Sequence, residues 1–230
     1  MKRLLSLLIV LILLSGCSTL PKQKEESLSE IRTALREVVQ TASERIEATM
    51  HSQMTLGTLI PPSSSSLLDQ KQIPRLEEHL LLWSKQVITA FRGATIAMPG
   101  LLKPYIEKLT IEDPRSVMVQ NDSSATALLL ASYAEDIEED VRSMLQGYLL
   151  DSGETWDMLA DRYAIWSRSK VLLGEESLPA LDSDPTDHLI QTFLSTYLDQ
   201  LTNEELYLRT TPVFQGTGSF YEILNNKVQP

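Results

Sequence analysis

With 230 residues, a single cysteine and 31 acidic against 20 basic side chains, the chain carries a net charge of −11; phosphate backbones repel it, which speaks against nucleic acid as a partner. Apolar residues reach 43% while aromatic ones stay at 6%, so the composition predicts a packed aliphatic core rather than disorder. One cysteine leaves no intramolecular disulfide, and stability must come from packing.

Lys2 and Arg3 precede an uncharged run over residues 4–14, which is signal-peptide length and too short to span a bilayer. Leu14-Ser15-Gly16-Cys17 comes next and resembles the bacterial lipobox. That resemblance implies cleavage between Gly16 and Cys17, a diacylglyceryl group on the Cys17 sulfur and acylation of the new amino terminus. Residues 1–16 then form a lipoprotein signal peptide, the plain alternatives being a signal peptide with a chance cysteine or an uncleaved anchor. The remaining 214 residues hold 18 basic and 31 acidic side chains, a net charge of −13. Membrane attachment is therefore expected through acyl chains on Cys17, at about 0.8 kcal/mol per buried methylene, with two or more chains for lasting retention. Ser18 after Cys17 resembles the pattern sorted to the outer membrane of two-membrane bacteria, so the expected place is the cell envelope, facing the periplasm.

Residues 17–26 are polar, contain Pro21 and suit a tether. Ser27-Leu28-Ser29-Glu30 then has capping-box spacing, and Leu28, Ile31, Leu35, Val38, Val39, Ala42, Ile46, Met50 and Met54 recur with a helical rhythm. The spacing predicts a long amphipathic helix over 27–54. Burying a large apolar side chain yields about 1.5–3 kcal/mol while ordering each residue costs about 1–2, so that helix must dock on a body. Residues 55–72, with Gly57, Pro61, Pro62 and serines at 63–66, read as a linker or exposed loop.

A helical domain is predicted over 73–228. Leu76, Leu80, Trp83, Val87 and Phe91 form its first stripe, and Gly93, Pro99, Gly100 and Pro104 should divide the region behind that stripe into short or kinked pieces. Asn121-Asp122-Ser123 offers caps for a helix whose inward line is Ala125, Leu129, Tyr133, Ile137, Val141, Leu145 and Tyr148. Gly153 should interrupt it before a further stripe of Trp156, Leu159, Tyr163 and Trp166. Asp184-Pro185-Thr186-Asp187 is a strong helix start, with Leu189, Phe193, Tyr197 and Leu201 facing inward behind it. Thr202 with Glu205, and Ser219 with Glu222, repeat the capping-box spacing. No run alternates like a strand, so the expected class is all-α: a helical bundle of about six to eight helices without significant sheet.

Residues that could carry chemistry each have a plainer reading. His51, His79 and His188 lie in three separate segments, none paired at zinc-helix spacing. Asp182, Asp184 and Asp187 suggest calcium, but the turn glycine and closing glutamate are missing, and helix capping accounts for them better. Ser167-Arg168-Ser169-Lys170 has the Ser-x-x-Lys spacing of penicillin-recognising enzymes without their companion elements. Gly216-Thr217-Gly218-Ser219 lacks the third glycine of a phosphate-cradling loop and reads as a turn. Glu135, Asp136, Glu138, Glu139 and Asp140 offer paired carboxylates but read as a solvated helix face. Trp156, Tyr163 and Trp166 have core spacing as readily as ligand-box spacing. Glu204, Glu205 and Arg209 place acids ahead of a base on one helix, worth tenths of a kcal/mol if exposed.

Several separated pieces together resemble domain of unknown function 4197, a family of exported, mostly helical bacterial envelope proteins. They are Ile73-Pro74, Ala97-Met98-Pro99, Pro104-Tyr105-Ile106, Leu109-Thr110-Ile111-Glu112-Asp113, Asp122-Ser123-Ser124-Ala125-Thr126 and the run from Glu204 to Pro212. The resemblance covers roughly residues 73 to 228 in preserved order and implies a helical fold and an envelope location, without a catalytic residue. Where the family usually carries Asn-Arg-Ala-Ala-Glu, this chain has Phe91-Arg92-Gly93-Ala94-Thr95. The expected function is therefore non-enzymatic binding or scaffolding by a lipid-anchored protein, with no catalytic residue, cofactor or metal, and with an envelope protein or apolar ligand as partner. The alternative is a periplasmic carrier of an apolar small molecule held between helices, and a hydrolase comes third.

Overall fold

The computed structural model describes residues 28–46, 54–70, 72–114, 117 and 125–210. Cys17 and Gly16, the tether, His51, the caps at 121–123, the turn at 216–219 and the Ser219/Glu222 pair lie outside them. The described residues form six helical elements and no strand: α1 (Leu28–Arg45), α2 (Leu56–Leu59), a 3-10 segment (Pro62–Asp69), α3 (Leu76–Lys108), α4 (Ala125–Leu172) and α5 (Thr186–Thr210). The class is all-α, as the periodicity predicts.

Helix α1 docks as its stripe requires, with Ile31, Ala34, Leu35, Val38, Val39 and Ala42 buried against α5 and α3. Leu28 differs from the expectation: it opens the helix and stays 45% exposed. The helix ends at Arg45, Met54 is not helical, and residues 47–53 of the expected 27–54 helix lie outside the described ones.

The segment expected as a linker is instead a packed strap. Thr55 caps α2 through a reciprocal pair with Thr58, and Leu59, Ile60 and Leu67 are buried. The serines explain why a polar run can fold inward. Ser64 Oγ accepts the Asp182 N–H at 2.7 Å, Ser66 Oγ shares a proton with the Tyr163 hydroxyl at 2.9 Å, and Ser63 donates to Asp182 Oδ2 at 3.3 Å. Their partners lie about a hundred residues away, beyond the reach of local pattern reading.

Two further expectations are corrected. Helix α3 runs through Pro99 and Pro104 without dividing. Each proline removes an N–H and crowds the preceding turn, at a cost of about 3 kcal/mol or more, but Ala94, Met98, Leu102 and Ile106 bury apolar surface on both sides of the two rings. Helix α4 likewise continues through Gly153; its break comes at Tyr133, whose φ of −140° and ψ of 18° interrupt the helical backbone. Its 48 residues therefore fall into two helical pieces joined at that kink.

Helices α3 and α4 form an antiparallel hairpin. Trp83 meets Trp156 at one end with centroids 4.9 Å apart, and Tyr105 meets Tyr133 at the other at 5.5 Å. Between them Gly93 lets the Tyr148 ring approach so closely that a Cβ there would lie 2.8 Å from it. Contrary to its place on the inward line, Tyr148 is 45% exposed and lies across α3, while Leu149 takes the buried position. Helix α5 then returns along α4, setting Phe193 in a tilted pair against Phe91 of α3 at 5.2 Å and stacking it on Tyr197 at 6.0 Å. Burial pushes the Tyr197 phenol pKa up, and its hydroxyl donates to the Ser43 carbonyl of α1.

Candidate functional site

Glu205 and Arg209 depart most from their sequence reading. Both side chains are buried rather than displayed, with Glu205 fully inaccessible. The Glu205 oxygens accept the N–H groups of Ala125 and Thr126, each at 2.8 Å, so a side chain of α5 caps the positive end of α4. Arg209 Nη1 lies 3.3 Å from Glu205 Oε1, and its Nη2 donates to the Val117 carbonyl. The tenths of a kcal/mol expected of an exposed pair do not apply here, because removing one partner of a buried pair costs about 3–5 kcal/mol.

Two arginines of α1 hold the same end of the bundle. Arg36 donates to the Leu109 carbonyl at 2.5 and 3.2 Å, and Arg32 to that of Ile111 at 2.7 Å, placing cations where α3 ends and its carbonyls lack helical partners. Three separated pieces of the sequence, around 109–113, 125–126 and 204–209, thus meet in one network. The bonds of that network join helices.

The acidic face of α4 is only partly free. Tyr105 donates to Asp140 Oδ2 at 2.7 Å; that bond, assisted by desolvation, pushes the phenol up to about 12. Glu138 accepts from Gln191 at 2.7 Å and Arg142 at 3.4 Å, which corrects its reading as merely solvated, while Glu135, Asp136 and Glu139 remain exposed. Arg142 also binds Asp187, a bond that raises its guanidinium pKa.

The other candidate groups serve the fold. Ser167 Oγ accepts the Leu178 N–H at 2.9 Å and Lys170 pairs with Glu175 at 3.0 Å, so both ends of the Ser-x-x-Lys spacing stitch the loop after α4 back onto the helix. Asp184 caps α5 by accepting the Thr186 N–H at 2.9 Å. Trp156 and Tyr163 are buried, the Trp156 indole donating to the Asp182 carbonyl at 2.9 Å, and Trp166 packs half-buried against the core. His79 Nδ1 sits 2.6 Å from the Arg75 carbonyl, and His188 Nε2 sits 3.0 Å from that of Thr58, tying the strap to α5.

Concave surface lies on both sides of the strap. A cleft of about 560 Å3 between the strap and α5 is lined by His188, Thr58, Thr192, Thr196, Ser65 and Ser195 together with Met54, Ile60 and Leu68. A groove of about 410 Å3 between the strap and α3 is lined by Leu56, Leu67, Leu68, Leu76, Leu80 and Leu81, with Gln70, Glu77 and Ser84. A third cleft, of about 550 Å3, lies between α4 and the start of α5 beside Gln146, Asp157 and Asp184. The first two depend on the strap, whose inward fold the sequence did not disclose; the leucines at 56, 67, 68, 80 and 81 were its signal. The chain matches no protein-family model, no curated protein and no solved structure.

Proposed function

We propose that this chain is a lipid-anchored protein of the bacterial cell envelope, akin to the domain of unknown function 4197 proteins, and that it acts by binding or scaffolding rather than catalysis. The observation that carries the binding role is the strap. Hydrogen bonds to Tyr163, Asp182 and His188 hold it in place, and it leaves preformed concave surface on both flanks. The kinship rests on the ordered sequence pieces between residues 73 and 228. Among the described residues no helix is long and apolar enough to cross a membrane, and the proposed attachment is through acyl chains on Cys17.

Fractionation of cells making the native chain or Cys17→Ser tests the anchor. The native protein should sediment with membranes and carry the mass of a diacylglyceryl and an acyl group on Cys17, whereas the variant should remain an unacylated precursor. Acylation at another residue, with unchanged processing of Cys17→Ser, would defeat the proposal. A second reading, carriage of an apolar small molecule, is favoured by the leucine-lined groove beside α3.

A further inference from the structure

We propose that the groove between the strap and α3 binds a free single-chain amphiphile, with an alkyl tail along the leucines and a cationic or hydrogen-bond-donating head at Gln70 and Glu77. This rests on the second reading above and names its ligand class.

The walls come from two elements whose spacing is already set. The strap is fastened at Thr58, Ser64 and Ser66 to α5, the Asp182 loop and α4, so a ligand need not order it on entry. At about 410 Å3 the groove falls in the range of small-molecule sites, apolar in lining with few polar groups. Leu81 is 54% and Leu68 37% exposed, so apolar surface at the groove still faces water and would be covered by a tail.

The polar groups select the head. Gln70 borders the groove, and its Oε1 is closed to solvent and without a hydrogen-bond partner among the described residues, so a rotation of the amide would present an unmet acceptor to a ligand N–H or O–H. Glu77 is the ionisable side chain of the lining, so the groove's own charge is negative and matches that of the chain as a whole. An alkylammonium or a neutral amide or alcohol head suits these acceptors, whereas a fatty-acid carboxylate or a lipid phosphate is repelled.

The test uses the full acylated protein in phosphatidylcholine nanodiscs, photolabelled with dodecylamine or dodecanoate bearing a diazirine at the tail end and mapped by peptide mass spectrometry. The amine should label the peptides holding Leu68 and Leu81 about tenfold more than the carboxylate, as expected for one nearby partly screened charge. Glu77→Gln should reduce that preference to about threefold or less by removing the charge. Leu68→Asn/Leu81→Asn, which changes exposed positions and leaves the core alone, should abolish most amine labelling. Equal labelling by the two probes overturns the head assignment, and labelling that survives the double variant overturns the groove. Protection of the groove by a bound polypeptide, or by the phospholipid of the disc, assigns it to that occupant and overturns the free amphiphile. Label moved to the His188 cleft keeps carriage but overturns this site, whereas label nowhere on the protein removes both. The mass of the Cys17 peptide in the same digest reads the anchor independently.

Discussion

Glu205 and Ala125 join the last long helix to the start of the longest one: a carboxylate oxygen of α5 accepts the first N–H of α4 at 2.8 Å, in a site closed to water. The same carboxylate faces Arg209, whose Nη2 donates to the Val117 carbonyl. Glu205→Ala should therefore leave a buried guanidinium without its carboxylate and two helix amides without their cap, costing about 3–5 kcal/mol. Glu205→Gln keeps an oxygen for the amides and should cost less. Urea unfolding followed by circular dichroism measures both, and a loss below about 1 kcal/mol for the alanine variant would show that the pair does not hold the junction.

Gly93 should change sign with its neighbour. In the native chain Gly93→Ala places a Cβ against the Tyr148 ring, and overpacking of this kind costs about 1–3 kcal/mol unless the half-exposed ring swings away. In a Tyr148→Ala background that clash is gone, and alanine should stabilise α3 by up to about 1 kcal/mol through helix propensity. A double-mutant cycle measures the difference, and additive effects would contradict the close approach.

Tyr105 makes stability depend on alkaline pH. Its phenol is held up to about 12 chiefly by the bond to Asp140, whereas an unfolded tyrosine titrates near 10. Between those values the folded state keeps a proton that the unfolded state has lost, so stability falls as pH rises. The advantage of the native chain over Tyr105→Phe should be full below about pH 10 and vanish by about 12, as read from denaturant midpoints. A constant difference across that window would refute the Asp140 contact as its cause.

Glu138 and Glu139 are neighbours in sequence but not in consequence. Glu139→Lys changes an exposed carboxylate and should cost less than about 0.5 kcal/mol. Glu138→Lys loses contacts to Gln191 and Arg142 and sets a cation against Arg142; discounted for solvent, that is about 1 kcal/mol. Thermal unfolding of the two variants compares them, and equal shifts in midpoint would mean that Glu138 makes no useful contact.

The helical stripes were legible because their rule is local: Leu76, Leu80, Trp83, Val87 and Phe91 fall on one face of a helix and are buried on it. Breaker residues misled because their penalties are local while the compensation is not. Pro99 and Pro104 are carried by packing against other helices, and Gly153 by buried Ser152, Thr155 and Trp156 around it. The serines at 63, 64 and 66 resemble any flexible linker until Asp182 and Tyr163 are seen beside them. The leucines at 56, 67 and 68 signal apolar surface there, but its closing into a groove with α3 depends on those same distant contacts.

Periodicity alone thus determined that this protein is all-α and, Leu28 and Tyr148 apart, which residues of each predicted stripe turn inward, because a 3.6-residue repeat is a property of neighbours along the chain. Tertiary structure decided that Glu205 and Arg209 are buried, that the strap folds in, and that its leucines border a groove. Each of these depends on groups brought together from distant parts of the chain, where desolvation and hydrogen-bond partners, rather than spacing, set the free energy.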